Sequence, residues 1–236
     1  MQSSNFEINR EFWNNYANQW NKYQVPIDNE NIANDNREQY INYLGDEWGR
    51  VEDAVNIVNE YITPFISPNS IAAEIGVGGG RMAAKVVTQV KKLHCFDISQ
   101  DMLNKAQESL SEYLNVEFHL LKNSHFEPEF TEKFDFVYSF DVFVHLDLQS
   151  IWKYLNSIFQ ILKDGGKAFI HTTNITTPNG WARFAAEANG EILYYPTSPE
   201  AIKLLIEKAQ MKVIKESSPD GHNFYLDRDY LVVMQK

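Results

Sequence analysis

The stretch Glu74-Ile75-Gly76-Val77-Gly78-Gly79-Gly80-Arg81 constrains this chain more than any other. A short apolar run, Ile71-Ala72-Ala73, leads into it, as expected of a buried parallel strand that hands over to a helix. Glycine permits backbone angles closed to other residues and lets a ligand approach the main chain. A helix starting after such a turn offers N–H groups without intrahelical partners. The dinucleotide fingerprint needs glycine at its first, third and sixth positions. Counted from Gly76 the sixth position is Arg81, so that fingerprint fails, and the spacing present is Glu-x-Gly-x-Gly-x-Gly.

Strands and helices alternate after this turn. Lys92 to Asp97, Val116 to Leu121, Phe134 to Phe140 and Ala168 to Thr172 read as strands two to five. Helices are predicted over 81–90, over 99–113 with Ser99 as N-cap, and over 149–162, where Trp152, Leu155, Ile158, Phe159 and Leu162 recur at helical spacing. Asp164-Gly165-Gly166 predicts a turn before strand five. A helix over 199–209 opens on Ser198 or Pro199, and Met211 to Glu216 with Tyr230 to Met234 predict a final, partly antiparallel pair of strands. The pattern is that of an α/β protein with a doubly wound, mostly parallel sheet of seven strands. Ahead of it, Phe6, Phe12, Trp13, Tyr16, Trp20 and Tyr23 predict an amphipathic helix over 6–23. A polar loop over Asn29 to Asn36, a short helix over 37–44 and a helix over 51–62 stopped by Pro64 complete the N-terminal part. Residues 174–198 are polar and aromatic, with Pro178, Gly180, Gly190 and Pro196, and read as an inserted lid after strand five.

Four pieces of this sequence, in order, resemble the motifs of the class I S-adenosylmethionine-dependent methyltransferases. The glycine turn resembles their first motif. Cys95-Phe96-Asp97-Ile98-Ser99-Gln100-Asp101-Met102-Leu103 resembles the second, Phe134 to Leu146 the strand-four motif with its downstream histidine, and Leu162 to Lys167 the turn before strand five. The resemblance covers about residues 70–173. It implies a Rossmann-like methyltransferase domain over 67–236, an N-terminal helical cap over 1–66 and an acceptor lid at about 174–198. It also implies S-adenosylmethionine as cofactor and S-adenosylhomocysteine as product. Glu74, Gly76, Gly78, Gly80 and Arg81 would meet the methionine part, with Arg81 toward its carboxylate. Asp97 would accept from the ribose hydroxyls, and Ile98 and Met102 would flank the adenine. Asn123 replaces the acid commoner after strand three, and its amide oxygen would receive the adenine amino group, with Ser124 beside it. Phe140 joins the cofactor set, and Tyr16 and Trp20, with Trp48, would close over the cofactor.

The methyl of a sulfonium is already activated, so positioning supplies most of the rate and a general base the remainder. His145 is the first candidate base, with Asp141 as orienter or alternative base on the same face of a helical turn. His171, at the end of strand five, is a further candidate for the base or an acceptor contact. Trp181 and Arg183 in the lid, with Asn223, Tyr225 and Arg228 downstream, are the acceptor-binding candidates; convergent arginines suit a carboxylate or phosphate.

The formal net charge is −11, and no basic run exceeds Lys91-Lys92, so nucleic acid is a poor partner for this chain. The Asn/Asp-Pro-Pro-Tyr signature of amino-methylating nucleic-acid enzymes is absent after strand four. No apolar stretch approaches a membrane span, the start lacks a signal-peptide pattern, and the single cysteine, Cys95, reads as a small buried hydrophobe. These features predict a cytoplasmic protein that does not insert in membranes. No metal site is expected, because the six histidines lack ligand-like spacing with cysteines or paired acids. The reading is an enzyme that methylates an oxygen or nitrogen of a small molecule, such as a sugar or an anionic metabolite linked to cell-surface polysaccharide. The alternatives are a protein or peptide methyltransferase, a non-catalytic S-adenosylmethionine-binding module, and a nicotinamide-dependent enzyme.

Overall fold

Most helices begin on a side chain suited to the task. Ser4 closes a capping box with Glu7 at the start of α1 (Asn5–Gln19). The next helix, α2 (Val51–Ile57), runs on into a π turn over Val58–Ile62. Strand β1 (Ile71–Ile75), the single helical turn α3 (Ala83–Val86) and β2 (Lys92–Asp97) follow. Ser99 then accepts the Met102 N–H to open α4 (Gln100–Ser109), which leads to β3 (Val116–Leu120) and β4 (Phe134–Ser139). Asp147 caps α5 (Leu148–Ile161), which passes directly into β5 (Leu162–Thr173). Thr177 caps α6 (Pro178–Glu187) and Ser198 caps α7 (Pro199–Lys208), each helix carrying proline in its first turn, where no N–H is missed. Strand β6 (Lys212–Glu216), the short α8 (Phe224–Arg228) and β7 (Asp229–Gln235) complete the chain. This computed structural model describes residues 4–24, 41–188 and 193–236.

The seven strands lie in the order β3-β2-β1-β4-β5-β7-β6. By packing, the chain divides into two units, residues 1–121 and 122–236. In the first unit β1 pairs with β2 and β2 with β3, all parallel. Ala72, Ala73, Leu93, Cys95, Val86 and Leu103 fill its core. In the second unit β4 and β5 are parallel, while β7 runs antiparallel between β5 and β6. Tyr230 to Met234 are buried without interruption, as expected of a strand covered on both faces.

Several boundaries differ from the sequence reading. The polar loop over 29–36, and the first half of the helix expected over 37–44, lie outside the described residues; 41–44 form turns, with no helix. The helix expected over 81–90 is one turn of α-helix followed by a 3-10 turn over Val87–Gln89. The helix expected to reach Tyr113 stops at Ser109, because Asn115 donates to the Val87 and Val90 carbonyls and draws the chain into β3. The glycines expected to form a turn before strand five lie inside it. The strand already runs from Leu162, and its pairing with β4 shifts register between Phe134 and Phe136 as at a β-bulge. The stretch read as an inserted lid contains α6, its residues 189–192 lying outside the described residues, and α8 stands where only a loop was read before the last strand. Cys95 is fully buried and its thiol is pushed up by burial, in keeping with a packing role. Among the described residues no helix is long and apolar enough to cross a membrane.

Candidate active site

In the first unit the glycine turn folds back onto the end of β2. Gly76 and Val77 both donate to the Phe96 carbonyl, at 2.7 and 3.1 Å. Gly76, Gly78 and Gly80 have φ of 76°, 53° and 91°, the left-handed region that favours glycine. Gly79 serves a different purpose. A Cβ there would come within 2.5 Å of the Leu44 Cβ, so glycine lets the turn pack against Leu44. A Cβ on Gly78 would meet nothing within 4 Å, so this part of the turn faces open space.

Asp97 closes β2 beneath the turn. Its two oxygens accept the Gly78 and Ser99 N–H groups, each at 2.9 Å. Burial pushes its carboxyl up to about 6, against the pull of the backbone N–H groups of Ser99, Gly78 and Ile98. Ser99 donates to Asn14 at 2.6 Å and Asn18 to Asp101 at 3.0 Å, which ties α1 to α4. The N-terminal aromatics converge on a residue that the sequence reading missed. Tyr16 and Trp20 both donate to Glu47 Oε1, at 2.7 and 2.9 Å, and the Gly45 N–H donates to Oε2 at 2.8 Å. Trp48 donates to the Tyr16 hydroxyl at 3.1 Å, and the Arg81 guanidinium lies 5.8 Å from the Trp48 ring centre. Met102 is buried in this same cluster with Ala17 and Leu44, Ile98 is half-buried, and Glu74 is buried in β1. Nothing in the sequence marks Glu47 except its place between Gly45 and Trp48.

In the second unit the focus is Asp229, another residue missed from sequence. Arg183 Nη2 lies 2.6 Å from its Oδ1; Arg228 Nε and Nη2 lie 2.8 and 2.7 Å from its Oδ2. His171 Nε2 is 3.1 Å from that same Oδ2. Burial alone would raise the Asp229 carboxyl, but His171 and the two arginines hold it at about 2. On the other side, His171 Nδ1 lies 3.1 Å from Asp141 Oδ1. Burial opposes charge on His171, yet the two carboxylates outweigh it and raise its pKa, which favours the imidazolium. Asp141 has φ of 57°, strained for a residue with a side chain, and the 3-10 turn begins only at Phe143. The helical pairing expected between Asp141 and His145 is therefore not formed, and Asp141 orients His171 instead.

His145 Nδ1 lies 2.7 Å from the Leu193 carbonyl, and its ring stacks on Tyr194 with centres 5.0 Å apart. A carbonyl accepts only, so Nδ1 carries the proton and Nε2 the lone pair. Burial lowers the pKa of His145, opposed by the Leu193 carbonyl and Asp141, which favours the neutral ring.

Other expected site residues are placed differently. His171 is fully buried, stacked on Phe140 at 4.7 Å and edge-on to Tyr225, so in this conformation it touches no solvent. Phe140 and Tyr225 are buried within that stack, and Asn223 is buried as the cap of α8. The Asn123 oxygen, expected at an adenine amino group, accepts the His125 N–H at 2.7 Å in a local turn; Ser124 beside it is half-buried. Trp181 is 56% exposed and packs on Phe184.

Residues 72–166 match the family model of a methyltransferase domain. The chain resembles magnesium protoporphyrin IX methyltransferase from Synechocystis PCC 6803, solved with bound S-adenosylhomocysteine: TM-score 0.70, 12% identity, covering 99% of this chain and 100% of that one. It also resembles the N-methyltransferase NodS from Bradyrhizobium japonicum WM9, in complex with S-adenosylhomocysteine (TM-score 0.61, 14% identity, 78% and 86% coverage). A third likeness is to the [4+2]-cyclase SpnF (TM-score 0.62, 12% identity, 79% and 80% coverage). At these identities the likeness is one of fold, and a fold alone does not define a reaction. No curated protein sequence matches the chain. The sheet order and the family match give this chain the Rossmann-like methyltransferase fold, with a methyltransferase domain matched over residues 72–166. Two of these similar structures hold S-adenosylhomocysteine, the demethylated product of S-adenosylmethionine. The first unit fits that group: the turn leaves room at Gly78, and the Asp97 carboxylate keeps a lone pair beyond its backbone N–H partners Ser99, Gly78 and Ile98.

Proposed function

We propose that this enzyme methylates an oxygen or nitrogen of a small anionic acceptor. The observation that carries this reading is Arg183 Nη1, which is buried with no hydrogen-bond partner among the described residues. A buried guanidinium N–H without an acceptor is costly, and a carboxylate or phosphate oxygen relieves that cost. Asp229 holds Arg183 and Arg228 so that one carboxylate serves two cations, leaving net positive charge for an anion. Tyr194, whose ring lies 4.3 Å from the Arg183 guanidinium, and the exposed Trp181 on α6 support a lid over that group.

In this reading the first unit holds the cofactor: the backbone of Gly76 to Gly80 with its methionine part, Asp97 with its ribose hydroxyls, and the Tyr16–Trp20–Glu47 cluster as the closing cap. When bound, the cofactor supplies a methyl already activated by a sulfonium. The second unit supplies the acceptor-binding groups. Arg183 fixes the anion, and His145 Nε2 takes the proton from the acceptor atom as its lone pair attacks. His171, clamped between Asp141 and Asp229, is a positioning residue that sets the charge around Arg183 and Arg228. A cytoplasmic site of action belongs to the same reading.

The test uses purified protein with S-adenosylmethionine and matched pairs of acceptors, each a carboxylate or phosphate and its neutral amide or ester. S-adenosylhomocysteine release confined to the anionic members is expected, with Arg183→Gln raising KM more than it lowers kcat. Equal turnover of neutral members overturns the anion assignment. Methyl transfer only into the macromolecular fraction of a lysate overturns the small-molecule assignment in favour of a protein acceptor.

A further inference from the structure

Sheet register brings together three residues that sequence spacing keeps apart. His94 lies on β2, and Glu117 and His119 lie on β3, the outermost strand on its side of the sheet. His94 sits opposite Glu117 and Phe96 opposite His119. Residues two apart on a strand share a face, so all three side chains emerge on one face of this parallel pair. His94 Nδ1 is 3.0 Å from His119 Nε2 and 3.3 Å from Glu117 Oε2, which is 3.9 Å from His119 Nε2. The rings are held in place. His119 stacks on Phe96 at 4.7 Å and on His94 at 5.1 Å, each close to parallel. Lys92 donates to the other oxygen of Glu117 and fixes its carboxylate from behind.

We propose that His94, Glu117 and His119 form a binding site for a divalent ion of the zinc class. In a tetrahedral zinc centre, donors about 2.0–2.2 Å from the ion lie about 3.3–3.6 Å from one another. The three atoms here span 3.0 to 3.9 Å, so an ion fits among them with small adjustments. Two imidazoles and one carboxylate suit zinc better than the all-oxygen sets taken by magnesium or calcium. The Lys92 contact supplies the outer hydrogen bond that ligating carboxylates ordinarily have. His94 is buried, whereas His119 and Glu117 keep side-chain exposures of 25% and 45%, which leaves an approach for the ion and room for a water as fourth ligand. The ion would clamp the outer strand β3 to β2. The alternative arrangement is a hydrogen-bonded histidine pair, in which one ring donates to the other and no ion is held.

The experiment titrates zinc into the untagged full chain, freed of metal with a chelator, by calorimetry and by thermal unfolding. Wild type is expected to bind one ion saturably and to unfold at a higher temperature when loaded. His119→Gln and Glu117→Gln should each weaken zinc binding at least about tenfold and abolish the thermal shift. Both positions are partly exposed, and unchanged S-adenosylhomocysteine affinity and circular dichroism certify the fold of each variant. No saturable zinc binding, or binding of equal strength in both variants and wild type, overturns the proposal.

Discussion

His145 shows how one carbonyl decides what a histidine can do. With its Nδ1 proton committed to Leu193, the ring presents Nε2 as a base. Its lowered pKa keeps it in that form at neutral pH. A base must be unprotonated, so turnover should hold constant at pH 7 and above and fall only on acidification below about 6.5, the ordinary histidine value. His145→Ala should lower kcat by about 10²–10⁴-fold and remove that acid limb, while cofactor affinity stays unchanged. A pH–rate profile of wild type and variant checks this; a variant that retains the acid limb assigns the proton transfer elsewhere.

At the scale of the element, the glycine turn divides its duties between neighbours. Gly79→Ala drives a Cβ into Leu44 and should cost about 1–3 kcal/mol of stability, as overpacking does. Gly78→Ala meets open space but must hold a left-handed φ, a strain of about 1–2 kcal/mol, and it fills room assigned here to the cofactor. Denaturation curves and S-adenosylhomocysteine calorimetry should therefore rank the two variants in opposite orders; a common order would show that the turn acts as a single unit. Much of this element was legible in sequence, because Glu74 to Arg81 and Asp97 belong to contiguous motifs whose backbone chemistry is local. The succession of strands along the chain and the cap at Ser99 were legible for that reason too, and the start of α7 was read at Ser198 or Pro199. The missed features all depend on partners distant in sequence. Asp229 follows an arginine in an acidic segment, and only the fold gives it Arg183 and His171. Glu47 gains meaning only when α1 brings Tyr16 and Trp20 to it. The helix α6 was missed although Thr177-Pro178 is a sound helix start, because its glycine and aromatic content masked the cap. The strand β5 was cut short because Gly165-Gly166 reads as a turn whether or not a bulge absorbs it.

Across the whole molecule, two buried carboxylates pull stability in opposite directions with pH. Asp229 is lowered from 3.8 to about 2, so its contribution of about 2 kcal/mol is present above pH 4 and is lost as pH falls through about 2. Asp97 is raised from 3.8 to about 6, so stability from its neutral form is present below pH 4 and is lost as pH rises through about 6, a change of about 3 kcal/mol. His171, also raised, adds to the loss on the alkaline side. The cofactor-free chain should accordingly unfold at a higher temperature at pH 5 than at pH 8. If Asp97 accepts the ribose hydroxyls as proposed, S-adenosylhomocysteine binding should release up to about half a proton near pH 6 and none near pH 8. Calorimetry in buffers of different ionisation enthalpy reads that release; an equal proton count at both values would remove Asp97 from the cofactor contact.

The placement of β7 has a consequence for how the chain is made. It enters the sheet between β5 and β6, yet it is synthesised after both. A ribosome adding 5–20 residues per second leaves the margin of β5 bare for on the order of 3–10 s before residues 229–235 emerge to cover it. During that interval an unpaired apolar strand is presented to any neighbouring nascent chain, so a version ending at residue 228 should accumulate as aggregate, and its recovery as soluble monomer would contradict this order of assembly.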